Sequence, residues 1–178
     1  MDEIDIAEFS SRESARFSLQ NLDSARARAH ALLLLLLGGG GGLGAAGLNQ
    51  LQGNVSLGTA ALMAAAFWFW LAYSLAQNAL VSAPVRSWAA PGLIEKSEEW
   101  RTFATESAVE GKQVNAVAEL RKTAIRTAER AAEEYRQASG RAYAAMDNAY
   151  RLMATTPLAA AFGAVLPWAA QRLGIGLS

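Results

Sequence analysis

The sequence predicts an all-α integral membrane protein: a helical hairpin in the bilayer, a long cytoplasmic amphipathic helix, and a third transmembrane helix or re-entrant segment after it. Three observations carry this. No Asp, Glu, Lys or Arg occurs anywhere from Ala29 to Val85, a block bracketed by Arg28 and Arg86. The stretch from Arg86 to Met153 is densely charged, with basic and acidic side chains in near balance. A second charge-free run separates Arg151 from Arg172 and is just long enough to span. Hydrophobic residues make up 52% of the chain, close to a globular average, so the membrane signal lies in segregation and not in the total.

Residues 1–30 form an N-terminal cytoplasmic segment. Ser10 and Glu13 have capping-box spacing, which predicts a helix starting near Ser11 and running through Phe17, Leu19 and Leu22 to Arg26 and Arg28. This helix is either solvated or an amphipathic segment lying on the membrane surface. Asp2, Glu3, Asp5, Glu8, Glu13 and Asp23 outnumber the basic side chains of this segment, unlike the short basic start of a secretory signal.

Residues 31–84 form the hairpin. Its first span reads ALLLLLLGGGGGLGAAGL, apolar on every side. Five consecutive glycines cost a helix in water about 1 kcal/mol each. In lipid an unbonded peptide group costs several kcal/mol, so the run stays helical there. Gly38 and Gly42, and Gly40 and Gly44, are small-xxx-small pairs that let backbones approach closely; with Gly47 they are the expected packing or oligomerisation residues. The polar turn NQLQGNVS, with Gly53 and Asn54 as turn formers, leads into a second span over 57–81. Phe67, Trp68, Phe69 and Trp70 fall mid-span and read as bulky filler against the glycine helix. Pro84 and Pro91 then break the chain, and Trp88 suits an interface.

Residues 85–154 form the cytoplasmic helical segment, with a bend expected at Gly111. Ala128, Ala131, Tyr135, Ala138, Ala142, Ala145, Ala149 and Leu152 recur in steps of three and four, the period of a coiled-coil seam. The seam is mostly alanine, so it permits close packing while burying little area. Glu129 and Glu133 form an unfavourable i,i+4 pair and Glu133–Gln137 is expected to add nothing, so support should come from packing. Residues 155–178 form the last segment. Thr155, Thr156 and Pro157 read as a threonine-capped helix start, and Pro167 as a kink or an early exit.

Several function classes are excluded. The net charge is zero, 16 against 16, so no nucleic-acid partner is indicated. There is no cysteine and only one histidine, His30, so no disulfide framework and no thiolate or histidine-rich metal site is expected, and no cofactor. No ionisable residue lies inside the predicted spans apart from His30 at the edge of the first, which argues against an ion-coupled pump. Gly39, Gly41 and Gly44 match GxGxxG by accident, without a preceding strand. No catalytic arrangement is present, and the chain is not expected to be an enzyme.

The Lys and Arg residues flank the hairpin on one side only. The N-terminus and residues 86–153 are therefore expected to be cytoplasmic, with the chain in a bacterial inner membrane. The layout of two spans followed by a charged helix resembles the two-span effector subunits of bacterial antiviral systems and some phage holins. The third apolar segment departs from that layout. The resemblance implies a homo-oligomer that permeabilises membranes. The other expectation is a non-catalytic anchor or scaffold whose seam docks a helix of a partner subunit. Besides lipids, the partners are copies of itself or helical subunits.

Overall fold

The computed structural model describes residues 3–81, 98–99, 101–103, 105–106 and 116–173. These are almost all helical, with no strand among them. The elements in order are α1 (Glu3–Gln50), α2 (Val55–Leu75) with a π-helical continuation Ala76–Val81, α3 (Ala116–Met153) and α4 (Thr156–Arg172). Two helices, Asp5–Gln50 and Val55–Val81, are long and apolar enough to cross a membrane. Pro84, Trp88, Pro91 and the bend at Gly111 lie outside the described residues.

α1 is one helix of 48 residues, and the boundary drawn at residue 30 falls inside it. Ser10 is not its cap, because the helix begins well before it, at Glu3. The Ser10 hydroxyl instead donates to the Ala7 carbonyl at 3.3 Å, a bond back along the helix. The buried face of α1 reads Ser11, Ala15, Ser18, Leu22, Ala25, Ala29, Leu32 and Leu36, alternating steps of four and three. That is a heptad stripe. Phe17 and Leu19, expected as its apolar residues, are exposed, as are Ile6 and Phe9. Of the expected apolar residues only Leu22 lies in the seam, whose other positions up to Ala29 are alanine and serine.

The chain divides into two compact units. The first comprises residues 1–23 and 84–139. Within it the early part of α1 lies beside the early part of α3. Arg121 Nη1 donates to Asp5 Oδ1 at 2.9 Å, and Arg121 Nε lies 3.8 Å from Glu8 Oε2, while Glu8 also pairs with Arg12. Further on, Ala15 packs with Ala128 and Ala132. Numbers rise together along both helices, so they run parallel here. Three alanine side chains bury little area, and the backbones can approach closely in return.

The second unit comprises residues 24–83 and 140–178. Its core joins Ala25, Ala29, Leu32 and Leu36 of α1 to Leu71, Ala72, Leu75 and Ala79 of α2, and to Ala142, Met146 and Ala149 of α3. The lower half of the hairpin is thus covered by α3, whose outer side carries the exposed ion pair Arg151–Asp147 at 2.8 Å. The upper half packs with α4 instead. α2 and α4 run antiparallel, with Trp68 beside Thr156 and Thr59 beside Gly163.

Local chemistry explains the joints. Asn54 caps α2, its Oδ1 accepting from the Leu57 N–H at 3.1 Å. The α3–α4 joint differs from the expected threonine cap. Thr155 Oγ1 donates back to the Leu152 carbonyl at 2.7 Å and Thr156 Oγ1 to the Met153 carbonyl at 2.6 Å. Both hydroxyls therefore satisfy the end of α3 and not the start of α4. Pro167 neither breaks nor shortens α4, which continues to Arg172. On α3, Gln137 does contribute: its Nε2 donates to Glu133 at 3.0 Å, beside an Arg136–Glu133 pair at 2.8 Å. Both are exposed and stabilise the helix by a few tenths of a kcal/mol at most.

Candidate functional site: the glycine face of the hairpin

The five-glycine run has two unlike sides. A Cβ at Gly39 would overlap the Trp68 ring, and one at Gly40 would lie 3.4 Å from Trp68 Cβ. At Gly47 it would meet Leu62 Cγ at 2.9 Å and the Gly58 carbonyl at 3.0 Å. At Gly44 the nearest atom is Ala65 Cβ at 3.7 Å, an ordinary contact. Gly39, Gly40, Gly44 and Gly47 therefore form the groove that seats α2. Gly38, Gly41 and Gly42 meet nothing within 4 Å. They lie on the opposite side of α1, with the exposed Ala45 and Asn49 continuing the line.

The two sequence pairs are thus split between surfaces. Gly40 and Gly44 face α2, and Gly38 and Gly42 face outward. Gly39 is a principal contact that the pairing rule did not select. The signal for it lay on the other arm of the hairpin, where four consecutive aromatics guarantee one bulky ring toward the glycines.

That ring is Trp68. It lies against the glycine groove, and its Nε1 donates to Thr156 Oγ1 at 2.9 Å. It joins α1, α2 and the first turn of α4. Trp68 is midway along Val55–Val81, yet it stands level with the α3–α4 joint. Phe67 and Trp70 stack beside it with ring centroids 5.9 Å apart. Phe69 and Trp70 are exposed, as is Tyr73 a turn further on. The aromatic cluster consequently marks the end of the α1–α2–α4 bundle and not its middle. At the other end Arg172 lies over the Trp168 ring, 5.2 Å from its centroid. α4 itself, 17 residues at about 1.5 Å each, is about 25 Å long.

Leu158, Phe162, Val165 and Leu166 of α4 are exposed, and on the α3-packed side of the Trp68 level so are Leu34, Leu35 and Leu37 of α1. Apolar side chains exposed in such number suit lipid better than water.

The alanine seam of α3 takes a definite register. Ala128, Tyr135, Ala138, Ala142 and Ala149 are buried, whereas Ala131, Ala145 and Leu152 are only half-buried. Ala132, Ser139 and Met146 take the deep positions instead. The Ser139 hydroxyl donates to the Arg136 carbonyl at 2.9 Å, which allows it to sit in the seam. The seam is occupied within the chain, by Ala15 in the first unit and by Ala25, Ala29, Leu32 and Leu36 in the second.

Among the described residues no group of three or more His, Asp or Glu could hold a metal. His30 Nδ1 lies 3.0 Å from the Arg26 carbonyl, an ordinary bond within α1. Comparison with known proteins finds no family model, curated protein or solved structure that matches this chain.

Proposed function

We propose that this chain is an oligomer-forming membrane protein whose assembled hairpins permeabilise a bacterial inner membrane. The observation that carries the reading is the bare face at Gly38, Gly41 and Gly42, where nothing lies within 4 Å of a would-be Cβ. Glycine in an apolar helix loses side-chain packing and gains only the chance of close backbone approach. On the inner side that gain is taken by α2. On the outer side a second copy of α1 supplies the missing neighbour.

In this reading the N-terminus and residues 86–153 are cytoplasmic, as the placement of Arg26, Arg28 and Arg86 favours. α4 crosses as a third span, antiparallel to α2, and Arg172 reaches the far side.

The test is membrane potential on induced expression in a bacterial host, with Gly42→Leu as the control. Depolarisation with growth arrest, lost in Gly42→Leu, supports the reading. Wild-type protein in the inner membrane without depolarisation removes it. A second reading is an anchor or scaffold without catalytic activity. What favours it is the exposed set Ile6, Phe9 and Phe17, which lies off the seam on α1 and suits a partner's helix. In that case Phe9→Glu should release a co-purifying subunit, while Gly42→Leu leaves the complex whole.

A further inference from the structure

A groove of about 490 Å³ runs between α1 and α3 in the second unit. α1 lines it with Arg28, Ala31, Leu32 and Leu35, and α3 with Tyr143, Met146, Asp147 and Tyr150. Both sets follow the i, i+3, i+4, i+7 spacing, so each is one face of its helix. Leu32 and Met146 are buried and form the floor. Arg28, Leu35, Tyr143, Asp147 and Tyr150 stand exposed along the rims.

The groove has two unlike ends. Gly39 of α1 and Thr156, just past the end of α3, both lie against Trp68 and are therefore level with each other. Counting back from that level along each helix sets Leu35 near Tyr150 at the end toward it, and Arg28 near Tyr143 at the end away from it. The helix rises about 10 Å between Arg28 and Leu35. Arg28 is also the last charged residue of α1, since the charge-free block begins at Ala29. Exposed Leu34 and Leu35 stand on α1 where α3 carries the charged pair Asp147–Arg151. Leucine, charge and exposed tyrosine at one level suit an amphiphile at a membrane–water interface.

Charge selects the headgroup. Asp147 is already engaged by Arg151 at 2.8 Å. The Arg28 side chain has no ion pair or hydrogen bond among the described residues. Two arginines against one carboxylate leave one positive charge, centred on Arg28. An anionic phosphodiester neutralises it, whereas an ammonium headgroup would be a third cation sharing a single carboxylate. The guanidinium and the Tyr143 phenol supply donors, which are what the oxygens of a phosphodiester accept.

We infer that this groove binds the phosphodiester of an anionic glycerophospholipid, phosphatidylglycerol. Arg28 and Tyr143 hold the phosphate, and an acyl chain lies over Leu32 and Met146 and leaves past Leu35. A basic pocket between helices on the cytoplasmic side is a usual setting for such a headgroup. The inference rests on the membrane reading of the hairpin.

The experiment is native mass spectrometry of the full chain in detergent, supplied with phosphatidylglycerol, with phosphatidylethanolamine, or with inorganic phosphate alone. The expected result is retention of phosphatidylglycerol about tenfold above phosphatidylethanolamine, falling to parity in Arg28→Gln. Asp147→Asn releases Arg151 from its partner and should raise retention of phosphatidylglycerol. Arg130→Gln removes the same charge from an exposed site in the first unit and should leave the preference unchanged. All three side chains are exposed, and unchanged helicity by circular dichroism verifies that the variants fold. Equal retention of the two lipids, undiminished preference in Arg28→Gln, or a loss in Asp147→Asn overturns the proposal. An equal loss in Arg130→Gln overturns the groove in favour of unlocalised charge. Retention of inorganic phosphate at the level of phosphatidylglycerol overturns the lipid assignment in favour of a free anion. Flotation of the chain with phosphatidylglycerol vesicles checks the membrane reading separately. Flotation without lipid preference sinks this inference alone, and failure to float sinks both.

Discussion

The hydroxyl of Thr59 on α2 donates to the carbonyl of Gly163 on α4 at 2.8 Å. The same oxygen lies 2.9 Å from the Val55 carbonyl and 3.1 Å from that of Ser56, and it has one proton to place. Gly163 has the stronger claim. Its natural partner four residues on is Pro167, which has no N–H. The missing side chain of Gly163 brings α4 close enough to deliver that carbonyl. A Cβ there would stand 2.7 Å from the Thr59 carbonyl and 2.9 Å from Ala60 Cα. Proline, glycine and threonine act together as one joint, and α4 stays helical through Pro167 because the orphan acceptor is satisfied from outside.

Thr59→Val removes the donor while keeping the shape. It should lower stability in detergent by about 1 kcal/mol, the usual worth of such a bond between membrane helices. Pro167→Ala restores an N–H to α4, so the cost of Thr59→Val should shrink in that background. A double-mutant cycle by denaturant unfolding reads this coupling; additive costs would separate the two residues.

Gly163→Ala should cost about 1–3 kcal/mol, because the new methyl meets backbone atoms that cannot turn aside. Thermal unfolding in detergent measures it. A neutral effect would place α4 further from α2.

The inner glycines should differ sharply from one another. Gly44→Ala fills space at an ordinary 3.7 Å and should be neutral or slightly stabilising. Gly39→Ala forces the Trp68 ring aside and breaks its bond to Thr156, and should destabilise by about 1–3 kcal/mol. Gly42→Leu should leave the unfolding midpoint of the isolated chain unchanged and shift only its oligomeric state. Cross-linking beside the unfolding curves resolves the two effects.

The α3 register predicts a contrast between neighbours. Ala132 is 1% exposed and Ala131 is half-buried. Ala132→Glu buries a charge among alanines and should cost at least about 2 kcal/mol, whereas Ala131→Glu should cost well under half of that. Loss of helix content on mild heating, followed by circular dichroism, ranks the two. The opposite ranking would restore the register read from periodicity.

Much of the helical layout was legible in the chain. The charge-free block from Ala29 to Val85, the turn at Gly53 and Asn54, and the helix after Thr155 all emerged from composition and local chemistry. These are decided within short stretches of chain, by the cost of burying charge or breaking backbone hydrogen bonds in an apolar run. The alanine period also placed the α3 seam to within one position.

Tertiary structure decided what lies across from each face. Alanine and serine carry almost no hydrophobic signal, so the Ser11–Ala15–Ser18 stripe was hidden behind Phe9 and Phe17, which are exposed. The choice between Ala131 and Ala132 depends on the opposing helix, because the helical turn does not divide evenly into the heptad and leaves either one near the seam. Five identical glycines cannot distinguish their own inner and outer sides. Trp68, Leu62 and Ala65 on α2 do so, by filling the groove at Gly39, Gly40, Gly44 and Gly47 and leaving Gly38, Gly41 and Gly42 bare. A helix has a face only relative to what packs on it, and that neighbour is chosen by the fold.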